Sequence, residues 1–343
     1  MVLSLGFVLS FVASAVSVVL IFPVVGAVQE QIVCQSQTIT ESRLLVFSES
    51  SKNVSILNGE NYTNLITTFA VSGVNGLTAT GIGTDRQGNI YSSLQGQETL
   101  NLPDVVYKYS QDGILLQTYY NGNPFFQNIE DVAVDSQGNV YTVDVEINKV
   151  SKFSPTGTLL LQWGNDGTNS TSDLASFDIA VDEDDNIYLS DVTFLHKIHK
   201  FDSNGNPITD WSVSSNTDGL TVDSGIVYVN SNPSTIFLYD TDGNSITDFE
   251  DGGDNNRAIA VHNSLIYVGF SDQIKAFTQN GVELFSITGF VNISDIQFTG
   301  GTVTDTQSSC DTGKAIVTSA IGIVPVGLFF TLFLIFGNVG KFQ

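Results

Sequence analysis

The chain has 343 residues, with 36 Asp and Glu against 12 Lys and Arg, a net charge of -24 and a pI near 4.1. Nucleic acid is excluded as a partner, because a surface of that charge repels phosphate. Acidity is also common in secreted proteins and names no partner by itself, and the length suits either two average domains or one closed all-β fold.

Residues 1–27 carry no charged side chain and are mostly Val, Leu, Phe, Ala and Ser. This is the composition of a signal helix, and Val25-Gly26-Ala27 supplies the small residues for cleavage after Ala27; an uncleaved anchor is the alternative. The segment 28–42, containing Cys34, follows. Near the other end, residues 315–339 form an apolar run long enough to span a bilayer as a transmembrane helix, interrupted by Pro325. Lys341, in the short tail 340–343, favours a cytoplasmic end and an extracellular middle, giving a single-pass protein of the cell membrane. A lipid anchor that replaces the tail is the alternative.

Four N-x-S/T sequons, at Asn53, Asn61, Asn169 and Asn292, agree with export and mark glycosylation acceptors. Cys34 and Cys310, the latter in the linker 300–314, are the two cysteines. Outside the cell such a pair tends to oxidise, and two separate thiols are the other reading.

Between these ends the chain repeats. The apolar strand Val132–Val134 leads through the turn Asp135-Ser136-Gln137-Gly138 into Asn139–Val143. Lys149–Phe153 follows, then the turn Ser154-Pro155-Thr156-Gly157 and Leu159–Trp163. Alternating β-branched and aromatic residues bounded by Gly, Asp, Asn and Pro predict four antiparallel strands with tight turns. Copies of this unit begin at Gly81, Asp131, Asp178, Gly219 and Ala258, a spacing of about 40 to 50 residues that belongs to propeller blades. Two fragments complete a sixth. Residues 43–70 hold three strands without a first, and Asp295–Thr299 is a first strand without a blade. The expected fold is therefore an all-β, six-bladed β-propeller over 43–299, closed by a C-terminal innermost strand that joins three N-terminal strands and leaves no open joint. That closure also draws Cys34 and Cys310 together.

The repeats resemble the NHL family, whose units run apolar-Ala-Val-Asp, Gly-Asn-apolar-Tyr-Val, basic-apolar-basic-Phe. The likeness is sharpest over Asp131–Phe153 and Asp178–Phe201 and fades in the fifth copy, where His262 replaces Asp and Asn263-Ser264 replaces the Gly turn. It implies a β-propeller that usually serves as a binding platform and less often as an enzyme.

The strand-end acids Asp85, Asp135, Asp182 and Asp223 precede tight turns, so they read as turn caps rather than catalysts. His196 and His199 are an odd number of residues apart, which on a strand turns them to opposite faces and away from a common metal. The positions that open the innermost strands are Gly81, Asp131, Asp178, Gly219, Ala258 and Asp295. They should ring one mouth of the axial channel, with Asp131, Asp178 and Asp295 as three oxygen ligands suited to Ca²⁺, the one cofactor indicated; backbone-bonded carboxylates are the alternative. The insertion Leu94–Asp104 and the segments 121–130 and 165–177 add loop length on the same face. There the aromatics Tyr119, Tyr120, Phe125 and Phe126 can stack on sugar rings or pack on a protein, with Tyr120, Phe125, Phe126 and Glu130 expected to contact a ligand; packing between blades is the alternative, more for Tyr119 than for Phe126. The expected function is a membrane-anchored extracellular scaffold that binds a protein or glycan through this face. The other reading is a metal-dependent propeller lyase or lactonase acting at the channel mouth, so whether the chain is an enzyme stays open, with binding favoured.

Overall fold

The computed structural model describes residues 5–11, 18–24, 42–59, 62, 65–71, 77–96, 102–119, 127–164, 176–191, 196–231, 234–253 and 258–299. Cys34, Cys310, the segments 25–41 and 300–343, and with them the expected cleavage site, linker, transmembrane helix and tail, lie outside these residues. Among the described residues no helix is long and apolar enough to cross a membrane. Within the N-terminal apolar run, Leu5–Phe11 pairs antiparallel with Val18–Val24. This ribbon belongs to a unit separate from Gln37–Asp305. Its β-branched, unbroken apolar sequence carries no period that would tell strand from helix.

The unit Gln37–Asp305 contains six four-stranded antiparallel sheets. Blade 1 comprises Thr78–Thr84, Ile90–Gln95, Val105–Tyr109 and Leu115–Tyr119. Blades 2 to 5 follow in order, with innermost strands Ile129–Val134, Ser176–Val181, Thr217–Asp223 and Ala258–His262. Blade 6 is composite: Ile293–Thr299 pairs antiparallel with Arg43–Ser48, from Ile293 opposite Ser48 to Thr299 opposite Arg43. The Asn53–Asn58 and Leu65–Ala70 strands complete it. The first and last strands of this unit thus share one sheet.

Antiparallel order assigns every connection to a face. Turns from first to second strand and from third to fourth lie on one face, called here the turn face. Connections from second to third strand, and from one blade to the next, lie on the other, the loop face. Ser42 and Thr299 both stand on the turn face, so the chain enters and leaves the propeller there.

The core is divided among the joints. Six buried apolar clusters each combine residues of two neighbouring blades, for example Tyr141, Val143 and Val150 of blade 2 with Ile179, Ile187 and Leu189 of blade 3. Every blade therefore depends on both neighbours for its burial.

The sequence motif accounts for each turn. Asp135 Oδ1 accepts the N–H groups of Gln137 and Asn139 at 3.0 and 2.8 Å, and its Oδ2 accepts Asn139 Nδ2 at 2.8 Å and the Tyr141 hydroxyl at 3.1 Å. Asp85 and Asp182 repeat the set with Asn89 and Tyr91, and with Asn186 and Tyr188. Lys152 lies 4.9 Å over the Tyr141 ring, and its Nζ reaches Ser203 O of the next blade at 3.0 Å. So Asp, Asn, Tyr and Lys of the repeat form one buried, fully satisfied polar unit, and capping is their role. Asp223 departs from the expectation: its strand turns through Ser224 and Gly225, both with positive φ (51° and 75°), a two-residue hairpin that leaves no turn for Asp223 to cap. Asn263 and Ser264, at φ 51° and 61°, do the same in blade 5.

A second repeated contact was not legible in the sequence. In four of the six blades the glycine of the outer turn lies against an aromatic ring of the preceding blade: Gly113 on Phe69, Gly205 on Trp163, Gly243 on Trp211 and Gly281 on Phe249. At Gly243, with φ +87°, an added Cβ would meet the Trp211 ring at 2.6 Å. Gly243→Ala therefore combines left-handed strain with a clash at the joint between blades 3 and 4. It should lower stability by about 2 kcal/mol, read as a reduced urea midpoint at unchanged slope.

Candidate functional site

The innermost strands enclose an axial cavity of roughly 660 Å³. Its wall is made of small and aliphatic residues, among them Gly83, Ala133, Ala180 and Thr221. Polar groups gather at its two ends. At the loop-face end stand Asp131, Asp178 and Asp295; at the turn-face end stand Ser42, Asp223 and His262.

The three aspartates come together as the repeat alignment predicts. Each innermost strand that carries one opens with a β-bulge: the register shifts between Ile129 and Asp131, Ser176 and Asp178, and Ile293 and Asp295. The bulge sets the aspartate at the mouth. In each case the carboxylate reaches across to an N–H on the open, axis-facing edge of the next blade's innermost strand. Asp131 Oδ2 accepts Ile179 N–H at 3.1 Å, Asp178 Oδ2 accepts Leu220 N–H, and Asp295 Oδ2 accepts Ile82 N–H at 2.8 Å. The other oxygens of Asp178 and Asp295 accept the N–H of the residue that follows them, Ile179 at 2.9 Å and Ile296 at 2.7 Å. Asp131 Oδ1 lies so close to Gly81 that a Cβ there would come within 2.0 Å of it. Glycine at the first ring position makes room for the acid of the second.

These are blade-to-blade staples, the backbone-bonded alternative to an ion cage. Among the described residues no group of three or more His, Cys, Asp or Glu side chains is disposed to hold a metal ion.

The staples carry an electrostatic load. Burial, followed by the neighbouring Asp178 carboxylate and then Asp295, holds the Asp131 carboxyl well above the ordinary range. Asp295 is raised by burial and by Asp178, and Asp178 by burial. Asp131 Oδ1 is buried without a hydrogen-bond partner beside the Asp178 carboxylate, so a proton held there relieves the repulsion.

At the opposite mouth the His262 ring stacks on Phe298, with centroids 4.5 Å apart. Its Nε2 takes hydrogen bonds from Ser42 Oγ at 2.8 Å and Asn263 Nδ2 at 3.0 Å. Burial lowers its pKa, with Asp223 opposing, which favours the neutral ring. His199 is buried 3.3 Å from Asp191 and His196 lies apart from it, so the structure keeps the histidines separate.

On the loop face Glu130 is the bulged residue before Asp131. It is half-buried and accepts a hydrogen bond from Gln95 Nε2 at 2.9 Å, which ties it to blade 1. Tyr119 is 2% exposed, and its hydroxyl donates to Pro155 O at 3.0 Å, packing between blades 1 and 2 as expected. Tyr120, Phe125 and Phe126 lie outside the described residues, as do Asn61 and Asn169. Of the remaining sequons, Asn292 is exposed at φ 48° in the connection into blade 6, and Asn53 is half-buried where the third strand of that blade begins.

Fold and site together define a six-bladed β-propeller with an acid-stapled axial channel. Among solved structures it is similar to a chain of a nidogen/laminin complex, with a TM-score of 0.62 at 14% identity, covering 76% of this chain and 99% of that one. It is also similar to a protein of unknown function from Bacteroides caccae (TM-score 0.55, 13% identity, 76% and 99% covered). A catalytically inactive virginiamycin B lyase from Staphylococcus aureus, solved with quinupristin, is a third (TM-score 0.52, 14% identity, 71% and 84% covered). At these identities what is shared is the fold. No protein-family model matches the chain, and no curated protein does.

The raised carboxyls set a pH dependence. A carboxyl whose folded pKa lies above its unfolded value binds its proton more tightly when folded. Its contribution is therefore largest in acid and is lost as pH climbs from the ordinary 3.8 through the shifted value. In Asp131→Asn an amide replaces the bound proton and keeps an acceptor for Ile179 N–H. The variant should match the parent near pH 4 and exceed it increasingly toward pH 8, measured as the difference in urea midpoint across that range.

Proposed function

We propose that this protein is an exported, NHL-type propeller, held at the outer face of a membrane by the apolar segment 315–339 and binding a protein or glycan through its loop face. The observation that carries this reading is the contrast between the two faces. The turn face has short turns and receives both chain ends, whereas the connections 96–104, 120–128 and 165–175 all belong to the loop face. A chain that leaves for its anchor from the turn face at Thr299 keeps the loop face free for a partner.

Three further features support the reading. The ladder sets Thr299 opposite Arg43, so the segments bearing Cys310 and Cys34 leave from neighbouring strand ends, which suits a disulfide between them. Asn292, an exposed sequon residue on the loop-face side, is accessible for glycosylation in an exported protein. The fold is shared with a chain of the nidogen/laminin complex, a pairing of two proteins.

The lyase or lactonase reading draws on the cavity and on the Ser42–His262 pair at its turn-face mouth. One experiment separates the two. The unit Gln37–Asp305 on beads is offered cell-surface proteins and a glycan array, with and without chelator. Removal of residues 97–101 should abolish capture, while chelator and His262→Ala leave it intact. Absence of capture together with His262-dependent opening of a cyclic ester would instead establish the enzyme.

A further inference from the structure

The outermost strands carry a regularity that neither the turn motif nor the ring of acids uses. In every blade the pairing of third and fourth strands is broken by a β-bulge just after the outer turn. The residue at the bulge is aliphatic all six times: Leu116, Leu160, Ile208, Ile246, Leu284 and Ile66 in blades 1 to 6. These six side chains are 42 to 53% exposed, whereas the Leu and Ile buried in the blade joints are at most 8% exposed. A bulge on an edge strand has its own purpose, since it twists the open edge away from other strands. That purpose is indifferent to side chain, so it leaves the aliphatic choice unexplained.

Placement restricts what can cover them. Equivalent positions in a closed ring stand at one height, so the six residues form a circle at the rim of the turn face. Only something flat, or a second ring set coaxially against the first, can touch all six. The circle is also thickened on one side. Leu65, Ile114, Leu115, Val282 and Phe285, each at least 36% exposed, add to it on blades 5, 6 and 1. Blade 6, at the centre of that arc, is where Ser42 and Thr299 bring the chain in and out. Beyond Thr299 the chain continues for 44 residues that include the apolar run 315–339.

We propose that the rim of the turn face docks on a lipid bilayer, with the arc of blades 5, 6 and 1 in contact first. This rests on the membrane anchoring described above and deepens it: the propeller lies on the membrane rather than swinging above it on the linker 300–314. Aliphatic side chains at such a rim enter the boundary between headgroups and acyl chains. With a net charge of -24 the protein is repelled by anionic lipid, so the surface it fits is zwitterionic or neutral.

The test uses the full chain reconstituted in vesicles of brominated phosphatidylcholine, which quenches indole emission at the acyl boundary. Leu116→Trp and Ile66→Trp place an indole on the arc, and Val291→Trp, at a site 63% exposed on the loop face, is the control. Emission from the arc positions should fall by roughly half relative to unbrominated vesicles, as expected for side chains at the acyl boundary, and the control should not change. Adding phosphatidylglycerol should weaken the quenching and added salt restore it. An alkaline wash separates the two readings. A chain that resists the wash yet shows no quenching at either arc position overturns the docking and leaves the anchor. A chain stripped by the wash overturns the anchor, and absence of quenching before the wash then overturns the docking too. If the arc positions are unquenched while sedimentation shows coaxial dimers, the rim is an interface between two copies and the lipid proposal fails.

Discussion

Everything in this molecule depends on the ladder between Ile293–Thr299 and Arg43–Ser48. Without it the remaining blades would form an open arc with two bare flanks, and the apolar clusters on either side of blade 6 would face water. Each joint is apolar and shared by two blades, so burial is complete only when the ring is complete. The ladder converts a row of repeats, each unable to bury its own faces, into one cooperative body. It also determines the direction of the whole, since it sends both chain ends out through the same face.

Around that closure the repeats divide the work of holding the ring. Near the turn face the Asp-Asn-Tyr-Lys unit satisfies a tight turn internally and then passes its lysine to a carbonyl of the next blade. At the periphery a turn glycine accepts the aromatic ring of the preceding blade, and only the absence of a Cβ allows the approach. At the axis the aspartates of blades 2, 3 and 6 accept N–H groups on the open edge of the next innermost strand. These last contacts bring like charges together in a buried space, and the raised pKa values of all three acids are the cost. A channel mouth built this way is proton-dependent: five of its six carboxylate oxygens accept backbone N–H groups, and Asp131 Oδ1 is buried without a partner.

The two faces follow from the same geometry. Short turns, chain ends and an aliphatic rim share one side; long connections share the other. The proposed anchoring and partner binding would use opposite sides of this division, and under that proposal the neutral His262 at the turn-face mouth opens away from the loops.

Much of this was written in the chain. The period of the repeats, the alternation within them and the two complementary fragments were enough to deduce six blades and their closure, because strand periodicity and turn chemistry are local properties. Alignment of strand starts also located Asp131, Asp178 and Asp295 at one mouth. What they do there was not local: whether three acids gather a cation or staple backbones depends on which N–H groups of the next blade face the axis beside them, and that is set by how the blades are placed around the ring. For the same reason Asp223 reads as a cap in one dimension and is none in three, since its hairpin closes in two residues. The glycine-aromatic contacts and the aliphatic rim were equally invisible, because they join residues of different blades or acquire meaning only when equivalent positions are arranged in a circle. Sequence alone determined the blades; the ring they close determined which residues meet.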